Sequence, residues 1–568
     1  MHAARRNTPA DPTDEQSPLT PWGASERRRL IESLRPGNDD GHPGWDLVVV
    51  GAGITGAGIA RDAAMRGLRV LVVDANDLSY GTSSRSSRLI HGGVRYLEQG
   101  QVGLVYEALR ERTRLYKTAS HLVQPADFLF PAYAGDRLPL WKLRVGLALY
   151  DALSLFRTHH RSVGPEQAHR REPLLAEEGL RGAVIYEDAV TDDARLTLTT
   201  LQSARRSGAE VLTHAEVVAL GRDHEGQWVQ LRDGLRIRAT RVVVAAGPWT
   251  SERLLGETGK HLLALSKGIH VVMRASDVPI RQPLVVQVRR SKRIIFVIPW
   301  GNRTYLGTTD TAYEGDPGAS GVTEEDYAEL FPLIRRILPT APLTRDRVVS
   351  AWSGVRPLVR SGPPTAGSST VNISRKHRLV ENSDGIIGLV GGKLTTYRAM
   401  AKEAVDHVVR AIRAAEPERE IPRCTTHLHP LVPGDELSEE ELREPRIADL
   451  APRHGPYART LAERVRAEPS LDGRLVEDLP YRWVEVDQAI RYEGAWHLDD
   501  ILRRRIPLAL TDHRHGGEVA RRIATRLVDA RGGSGADVEE EILRYRESLL
   551  RETGYDLSPS SADSGVRP

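Results

Sequence analysis

The segment of residues 46–74 constrains the fold more than any other part of the chain. An apolar strand at 46–50 leads into a glycine turn, and a helical stretch and a second apolar strand follow before Asp74. The turn has the sequence Gly51-Ala52-Gly53-Ile54-Thr55-Gly56. Strand, glycine turn, helix, strand and acid together make the complete βαβ unit of a dinucleotide-binding site. The chain is therefore predicted to be an α/β protein that binds a dinucleotide.

Each part of this unit has a physical role. Gly51 makes the tight turn, Gly53 lets the backbone approach a pyrophosphate, and Gly56 lets the helix lie close to the sheet. The N–H groups at the helix N-terminus then favour the phosphates. Asp74 lies where its carboxylate can accept hydrogen bonds from ribose hydroxyls, which favours a non-phosphorylated adenosine ribose, as in FAD or NAD.

A loop rich in hydroxyl side chains follows this unit. Residues 81–98 have the sequence GTSSRSSRLIHGGVRYLE. The short hydroxyl side chains offer many donors and acceptors, which suits a polar ligand better than a protein core. Two later segments also combine glycine with aromatic and basic residues, namely WSGVRPL at 352–358 and GGKLTTYR at 391–398.

Through these three segments the chain resembles the FAD-dependent glycerol-3-phosphate dehydrogenases. The resemblance covers about residues 45–550, and the motifs stand in the same order as in the family. Arg88 stands where the family often has lysine and Ile269 where some members have serine, and neither departure removes a charge or the base. The resemblance implies FAD as the cofactor. Because only one dinucleotide fingerprint is present, a second site for NAD is not expected.

The resemblance implies an α/β fold in several parts, a glutathione-reductase-like FAD-binding domain with an inserted antiparallel substrate-binding sheet and a helical C-terminal domain. The expected boundaries are a disordered tail with a short helix at 1–44, the FAD-binding domain at 45–420 with the substrate sheet at about 262–380, the helical domain at 421–556 and a disordered tail at 557–568.

The resemblance also implies a reaction, the oxidation of sn-glycerol 3-phosphate to dihydroxyacetone phosphate in glycerol catabolism. The C2 hydrogen leaves as hydride to flavin N5, a base removes the hydroxyl proton, and a membrane quinone reoxidises the flavin. His270 matches the family's KG-x-H position and is the expected base, since an imidazole accepts a proton near neutral pH. His91 is the alternative, interpreted as structural or flavin-adjacent. Arg95, Tyr96 and Arg356 are expected to bind the substrate, because a planar guanidinium suits a phosphate.

Lys393 follows a glycine pair between a strand and a helix, and both the helix start and the lysine would favour negative charge on the flavin ring. The segment is not a phosphate loop, because Ile387 stands where glycine is needed and Leu394 where Ser or Thr is needed. The expected catalytic residues are His270, Arg356 and Lys393. The residues expected to bind FAD are Gly51, Ala52, Gly53, Ile54, Thr55, Gly56, Asp74, Thr82, Ser83, Ser84, Ser86, Arg88, Leu89, Gly247, Lys393, Leu394 and Thr395.

Composition limits the classes of function. The formal net charge is +3 at pH 7 and no long basic block is present, so no nucleic-acid partner is expected. A single cysteine, Cys424, excludes an internal disulfide and a cysteine-ligated iron–sulfur cluster within one chain. Electrons that leave the flavin must therefore pass directly to an external acceptor. The pairs His427/His429 and His513/His515 suggest no third ligand, and no metal is expected.

A quinone acceptor implies a membrane contact. The sequence has no run of about 20 uncharged apolar residues and no signal-peptide layout, so we expect a cytoplasmic protein attached peripherally to the inner face of the cytoplasmic membrane. Residues 138–156, with Trp141, Lys142 and Arg144, are interpreted either as a core helix or as a membrane-facing helix. A homodimer is one open oligomeric state.

Two other functions remain open at this point. One is an FAD-dependent amine or amino-acid oxidase of the same fold, which would need a carboxylate-binding arginine and reactivity with oxygen. The other is a flavin-binding protein without catalysis. The cationic group of Arg95, Arg356 and Lys393 suits a phosphate better than a carboxylate, which favours the dehydrogenase.

Overall fold

A computed structural model describes residues 20–35, 44–155, 157–289, 291–360, 376–555 and 557, apart from the side chains of Arg95, Gln99 and Glu252. The strands are β1 Trp45–Val50, β2 Val70–Val73, β3 Leu89–Ile90, β4 Val123–Tyr133, β5 Arg161–Val163, β6 Leu180–Thr191, β7 Glu210–Leu212, β8 Val217–Asp223, β9 Gly226–Leu231, β10 Arg236–Val244, β11 Leu263–Arg274, β12 Leu284–Gln287, β13 Ile294–Trp300, β14 Arg303–Gly307, β15 Thr311–Tyr313, β16 Val348–Val359, β17 Arg378–Glu381 and β18 Ile387–Val390. The α-helices are α1 Ala24–Ser33, α2 Ile54–Met65, α3 Val102–Thr118, α4 Leu140–Leu153, α5 Pro165–Arg171, α6 Asp193–Arg206, α7 Glu252–Leu255, α8 Glu324–Arg335, α9 Tyr397–Ala415, α10 Pro445–His454, α11 Ala458–Ala467, α12 Trp483–Tyr492, α13 Leu508–Thr511, α14 Gly517–Arg531 and α15 Gly535–Thr553.

The first sheet contains the predicted βαβ unit. Its strands lie in the order β17-β18-β10-β1-β2-β7, with the β8–β9 hairpin attached to β10. β1 is central and pairs in parallel with both β10 and β2, so that Val48 lies between Val242 and Leu71. Such strands are apolar throughout because helices cover both faces of a parallel sheet. Helices α2, α6 and α9 cover one face here, and helices α1 and α7 with the β8–β9 hairpin cover the other.

The second sheet covers the edge of the first at which the glycine turn lies. Its strands lie in the order β15-β11-β14-β13-β12-β4-β6-β3, with β16 paired to β11 and β5 to β6. The sheet is wider than the expected range of 262–380, because β3 to β6 come from earlier in the chain and β17 belongs to the first sheet. Two long antiparallel pairings, β4 with β6 and β11 with β16, make up much of this sheet, and the second sets His270 opposite Trp352.

The C-terminal part of the chain is helical, which confirms the predicted fold class. Helices α12 to α15 enclose an apolar core that includes Leu498, Ile501 and Leu527. The N-terminal segment is attached to this part, because Trp22 is only 5% exposed and its N–H donates to the Arg491 carbonyl at 2.9 Å. The described residues from Thr20 onward therefore belong to the fold, whereas residues 1–19 and 558–568, expected to be in disordered tails, lie outside the described part of the chain. Among the described helices, none combines the length and apolar character needed to cross a bilayer.

Candidate active site

A cavity of about 490 Å³ lies along the glycine turn of the βαβ unit and is called here the large cavity. The predicted FAD-binding residues that line it are Gly51, Gly53, Ile54, Thr55, Asp74, Thr82, Ser83, Ser86, Gly247, Lys393 and Leu394. These residues come from turns that are far apart in the sequence and converge at the carboxyl ends of parallel strands. That edge is where an open α/β sheet binds its ligand.

The glycines of the turn fit a backbone that must come close to other groups. A Cβ on Gly51, whose φ is +113°, would lie 2.5 Å from the Ala245 carbonyl oxygen, and one on Gly56 would lie 1.8 Å from the Gly51 oxygen. The N–H of Ile54, at the start of α2, donates to Ser83 Oγ at 3.0 Å. The helix start and the hydroxyl loop thus meet at the position where a pyrophosphate would be held.

Asp74 also lines this cavity. Its carboxylate accepts hydrogen bonds from the Ala52 N–H at 2.6 Å and the Asn76 N–H at 2.9 Å. Burial raises the pKa of Asp74 to about 6, although the two N–H donors act in the opposite direction. The carboxylate is thus aimed and fixed where a ribose would lie, and the residues present fit FAD.

Several residues expected to bind FAD do not line this cavity. Leu89 lines a second cavity instead, and Ala52, Gly56 and Ser84 line neither cavity. Thr395 exchanges hydrogen bonds with the backbone of His91, at 3.1 and 3.2 Å. The Arg88 guanidinium lies 4.2 Å from the Trp300 ring and 3.6 Å from Asp192 and Asp193, so it joins the two parts of the fold. Which of the predicted residues reach the cavity depends on contacts between segments that are far apart in the sequence, and a local motif does not encode these contacts.

The second cavity, of about 130 Å³, is called here the small cavity. Of the residues expected to bind substrate, Tyr96 and Arg356 line it, while the side chain of Arg95 lies outside the described part of the structure. Ser86 lines the large cavity and its neighbour Ser87 the small one, so the two cavities adjoin at this point. Side chains that the sequence analysis did not single out also line it, namely Asp188, Thr308, Thr309 and Asp310.

Arg356 is held by oxygen acceptors in the wall of the small cavity. Its Nη2 donates to Thr308 Oγ1 at 2.7 Å, and its Nη1 to the Thr309 carbonyl at 3.3 Å. Asp310 lies 3.8 Å from Nη1. Gly268 provides the room for this guanidinium, because a Cβ there would lie 2.3 Å from Nη2. A guanidinium fixed in this way can present parallel N–H groups to a phosphate.

Lys393 connects the two cavities. It lines the large cavity, and its Nζ lies 3.6 Å from the ring centroid of Tyr96, which lines the small one. The preceding Gly391 and Gly392 have φ of +72° and +98°, and a Cβ on Gly392 would lie 2.3 Å from Met400 Cε. The glycine pair therefore allows the turn that brings the lysine to this junction.

His270, the expected base, does not line either cavity. Its side chain is 1% exposed and stacks on Trp352, with centroids 4.8 Å apart and planes at 14°. Its Nε2 lies 2.9 Å from Ser87 Oγ. Burial, together with Arg356 and Arg88, holds the pKa of His270 well below its usual value. The alternative imidazole, His91, does line the small cavity.

Buried groups hold the loop that carries His91. The Gly92 N–H donates to Tyr150 Oη at 2.9 Å and to Asp188 Oδ1 at 3.3 Å. Tyr150 and Arg112 both donate to the same Asp188 oxygen. Burial raises the pKa of Asp188. The sequence signal that could have pointed to it is the acidic pair Glu187-Asp188 within the otherwise mostly apolar strand β6.

One group of acidic and histidine side chains has the spacing of metal ligands. Ligand atoms of Asp77, His214 and Asp500 lie within 4.8 Å of one another. Arg504 donates to Asp77 at 2.5 Å and to Asp500 at 2.8 Å, and Arg505 donates to Asp77 at 2.6 Å. The positive charge of these arginines opposes a metal cation and balances the carboxylates.

Comparisons with known proteins agree with this site. Residues 46–407 match the family model described as FAD dependent oxidoreductase, and residues 387–537 match the C-terminal domain of alpha-glycerophosphate oxidase. Glycerol-3-phosphate dehydrogenase 2 of Mycobacterium tuberculosis is 36% identical, over 92% of this chain and 91% of that protein. Glycerol-3-phosphate dehydrogenase of Synechocystis is 35% identical, over 89% and 96%.

A solved structure extends the similarity to the whole fold. The glycerol-3-phosphate dehydrogenase from Bacillus halodurans complexed with FAD aligns with a TM-score of 0.73 and 26% identity. The alignment covers 94% of this chain and 99% of that one. The match therefore includes both sheets and the helical C-terminal part.

Proposed function

The chain belongs to the family of FAD-dependent glycerol-3-phosphate dehydrogenases, and from this premise we propose that it oxidises sn-glycerol 3-phosphate to dihydroxyacetone phosphate and passes the electrons to a membrane quinone. Its cofactor is FAD, as the family model indicates. The observation that supports the substrate is Arg356, fixed by Thr308 and Thr309 in a cavity next to the dinucleotide site. A phosphate dianion needs such a cation, whereas an unphosphorylated alcohol does not.

Bound FAD would supply the hydride acceptor for the C2 hydrogen. The protein's own residues would orient the substrate in the small cavity, with Arg356 and Arg95 on the phosphate and Tyr96 beside it. Lys393 would place positive charge at the junction of the two cavities, where negative charge develops on reduction. The C2 hydroxyl proton must leave to an acceptor. His91 lines the small cavity, whereas His270, the expected base, lies behind it and hydrogen-bonds Ser87 of its wall.

Two observations support a quinone as the electron acceptor. The sequence excludes other internal electron carriers, and one side of the small cavity is apolar. One cysteine cannot hold an iron–sulfur cluster, and a single dinucleotide fingerprint leaves no second nicotinamide site. Phe130, Leu138, Ile294 and Phe296 line the small cavity beside its polar residues. Because the same cavity is proposed to hold the substrate, an apolar two-electron acceptor would use this wall after the product has left.

Oxygen is the alternative electron acceptor, and turnover measurements distinguish it from a quinone. Purified enzyme with sn-glycerol 3-phosphate should reduce a water-soluble quinone analogue and produce little hydrogen peroxide under air. Hydrogen peroxide formed in step with substrate consumption would make the protein an oxidase. Light scattering on the same sample would determine whether the protein is a homodimer, which the sequence analysis left open.

Helix α4 supports a peripheral membrane contact. Its inner residues Leu143 and Leu147 are buried, whereas Trp141, Val145 and Leu149 are 62%, 65% and 44% exposed. These three residues repeat every fourth position and form one apolar stripe, and the neighbouring Lys142 and Arg144 are exposed. Apolar area beside basic charge suits an anionic bilayer surface. Both interpretations of residues 138–156 therefore apply to this helix: its inner face packs in the core, and its outer face is the proposed membrane contact.

Vesicle flotation would test this contact. We expect the protein to float with phosphatidylglycerol vesicles, more weakly with phosphatidylcholine vesicles, and to lose flotation when Trp141 and Val145 are both changed to Asp. Leu143 is unsuitable for this test because it is 3% exposed. Leu543→Asp is the matched control, since Leu543 is 53% exposed on the distant helix α15. Equal flotation of the double variant and the control would assign the contact to another surface.

A further inference from the structure

Ser87 stands at the junction of the two cavities. Ser86 lines the large cavity and Ser87 the small one. A hydride can pass only where the substrate carbon and the flavin meet, within about 3–3.5 Å of each other. The Ser87 hydroxyl is therefore next to the reacting end of the substrate, whereas Arg356 lies at the phosphate end.

The backbone around Ser87 is fixed on both sides. Tyr305 Oη donates to the Ser87 carbonyl at 3.1 Å, and Trp352 Nε1 donates to the Ser86 carbonyl at 3.3 Å. Both aromatic residues belong to strands of the second sheet. The hydroxyl is thus held in place before substrate binds, which is the condition for a useful catalytic hydrogen bond.

His270 is fixed even more tightly and points at Ser87. Trp352 stacks on one face of the imidazole, and a Cβ on Gly307 would lie 2.4 Å from its Cδ2. Among the described residues, Ser87 is the hydrogen-bond partner of its Nε2, and its Nδ1 has none. Since His270 lines neither cavity, this hydrogen bond to Ser87 is what links the ring to the small cavity within the described part of the chain. Because burial and two arginines disfavour its protonation, it is also poorly suited to keep a proton.

We propose that Ser87 is the catalytic hydroxyl that hydrogen-bonds the C2 oxygen of the substrate, and that His270 is a positioning residue that orients this hydroxyl. The proposal rests on the proposed oxidation of sn-glycerol 3-phosphate. It assigns to Ser87 a role that the hydroxyl loop motif alone does not give, and it replaces the role of base that the sequence suggested for His270. The hydride at C2 passes to the flavin, and the proton of the C2 hydroxyl passes to the imidazole of His91, the alternative base, which lines the small cavity.

The test is a double-mutant cycle on the rate of flavin reduction at saturating substrate, measured anaerobically by stopped flow. Ser87→Ala and His270→Ala should each slow reduction by about 10- to 100-fold, because each removes the oriented hydrogen bond. The double variant should be no more than about twofold slower than Ser87→Ala, since one interaction cannot be lost twice. Ser203→Ala is the matched control, a buried serine of α6 that lines neither cavity.

His270→Gln separates positioning from base catalysis. A glutamine amide can hydrogen-bond Ser87 from near the Nε2 position but cannot take up a proton at neutral pH. We expect this variant to reduce its flavin within about fivefold of the wild-type rate. Reduction as slow as in His270→Ala, additive losses in the cycle, or a Ser87→Ala variant as fast as wild type would each overturn the proposal.

Binding of an analogue provides a readout other than activity. The analogue 3-hydroxypropyl phosphate lacks the C2 hydroxyl, and its dissociation constant can be measured from the change in flavin absorbance. The constant should be the same for wild type and Ser87→Ala, whereas a general collapse of the cavity would raise it. If wild-type flavin is reduced by another substrate but not by sn-glycerol 3-phosphate, the proposed function fails, and the same cycle run with that substrate still decides the role of Ser87.

Discussion

At the scale of single residues, the site depends on charged groups whose positions are set by neutral neighbours. Arg356 is oriented by a hydroxyl and a carbonyl, and Gly268 leaves the space for it. Asp74 is oriented by two backbone N–H groups. The Arg356 guanidinium and the Asp74 carboxylate are thus held in one orientation, in which Arg356 can bind an anionic ligand and Asp74 can accept a hydrogen bond from a hydroxyl group.

Arg356→Ala is expected to lower kcat/KM for sn-glycerol 3-phosphate by roughly ten- to a few-hundred-fold, since a charge-assisted hydrogen bond contributes about 1.5–3 kcal/mol. Activity on glycerol, which has no phosphate to lose, should barely change. Arg356→Lys should recover only part of the loss, because a point charge cannot reproduce two parallel hydrogen bonds. The measurement is steady-state kinetics, with the FAD occupancy of each variant determined first. An equal loss of kcat/KM on sn-glycerol 3-phosphate and on glycerol would mean that Arg356 shapes the site without binding the phosphate.

Asp74 is expected to make FAD binding depend on pH. Burial raises its pKa to about 6, so the carboxylate becomes protonated as the pH falls below that value and then accepts ribose hydroxyls less well. At pH 5 only about a tenth would be ionised, and the affinity of the apoprotein for FAD should be roughly tenfold weaker than at pH 7.5. Fluorescence titration with FAD measures this, and Asp74→Asn should bind weakly with little pH dependence. If the FAD affinity of wild type and of Asp74→Asn changed equally with pH, the pH dependence would belong to another group.

At the scale of elements, α4 has two faces with different tasks. Its outer face carries the exposed stripe of Trp141, Val145 and Leu149. Its inner face carries Tyr150, whose hydroxyl accepts from the Gly92 N–H and donates to Asp188. A Cβ on Gly92 would lie 2.4 Å from that hydroxyl, so the loop and the helix fit closely. The helix thus supports the loop that carries His91 into the small cavity.

Tyr150→Phe is expected to raise KM for sn-glycerol 3-phosphate by about three- to tenfold, because one of two acceptors for the Gly92 N–H is lost and the loop is less well fixed. Tyr116→Phe is the matched control, since the Tyr116 hydroxyl bonds Glu187 and the Asp188 carbonyl rather than the loop. Kinetics and thermal denaturation of both variants would check this. Equal KM values for the two would show that the hydroxyl of Tyr150 does not position the loop.

The sequence was most informative where contacts are local. The unit of β1, α2 and β2 could be predicted because its strands, turn and acid lie within one short segment, and most residues predicted for FAD do line the large cavity. The strands β4 and β6 were not predicted. Most of their pairing is with each other, with β12 and with β3, which are far from them in the sequence. The roles of Ser87 and His270 depend on a contact across 183 positions of the chain, which no local motif encodes.

At the scale of the whole molecule, a buried ionic cluster joins the helical domain to the FAD-binding domain. Asp77, just after β2, accepts from Arg504 at 2.5 Å and from Arg505 at 2.6 and 2.8 Å. The side chains of Asp77 and Arg505 are 0% exposed. The C-terminal end of α15 makes a second link, where Glu552 pairs with Arg85 of the hydroxyl loop and with Arg503. The helical domain therefore supports the FAD-binding loops from behind.

Asp77→Asn is expected to lower the free energy of unfolding by about 3–5 kcal/mol, because it leaves the buried Arg505 guanidinium without the carboxylate it pairs with. Thermal denaturation with saturating FAD measures the effect as a lower Tm. Glu539→Ala is the control, since its pair with Arg521 is 62% and 61% exposed and such surface pairs contribute about 0–1 kcal/mol. A Tm for Asp77→Asn as high as that of the control would contradict a stabilising role for the cluster.

The most direct test of the whole account is an anaerobic titration of the purified flavoprotein, followed by flavin absorbance. We expect sn-glycerol 3-phosphate to bleach the flavin with close to one equivalent per FAD, and glycerol and amino acids at the same concentration to leave it oxidised. Bleaching by an amino acid but not by sn-glycerol 3-phosphate would make the protein an amino-acid oxidase of this fold. Bleaching by none of them would leave a flavin-binding protein without this catalysis, and either result would contradict the central claim.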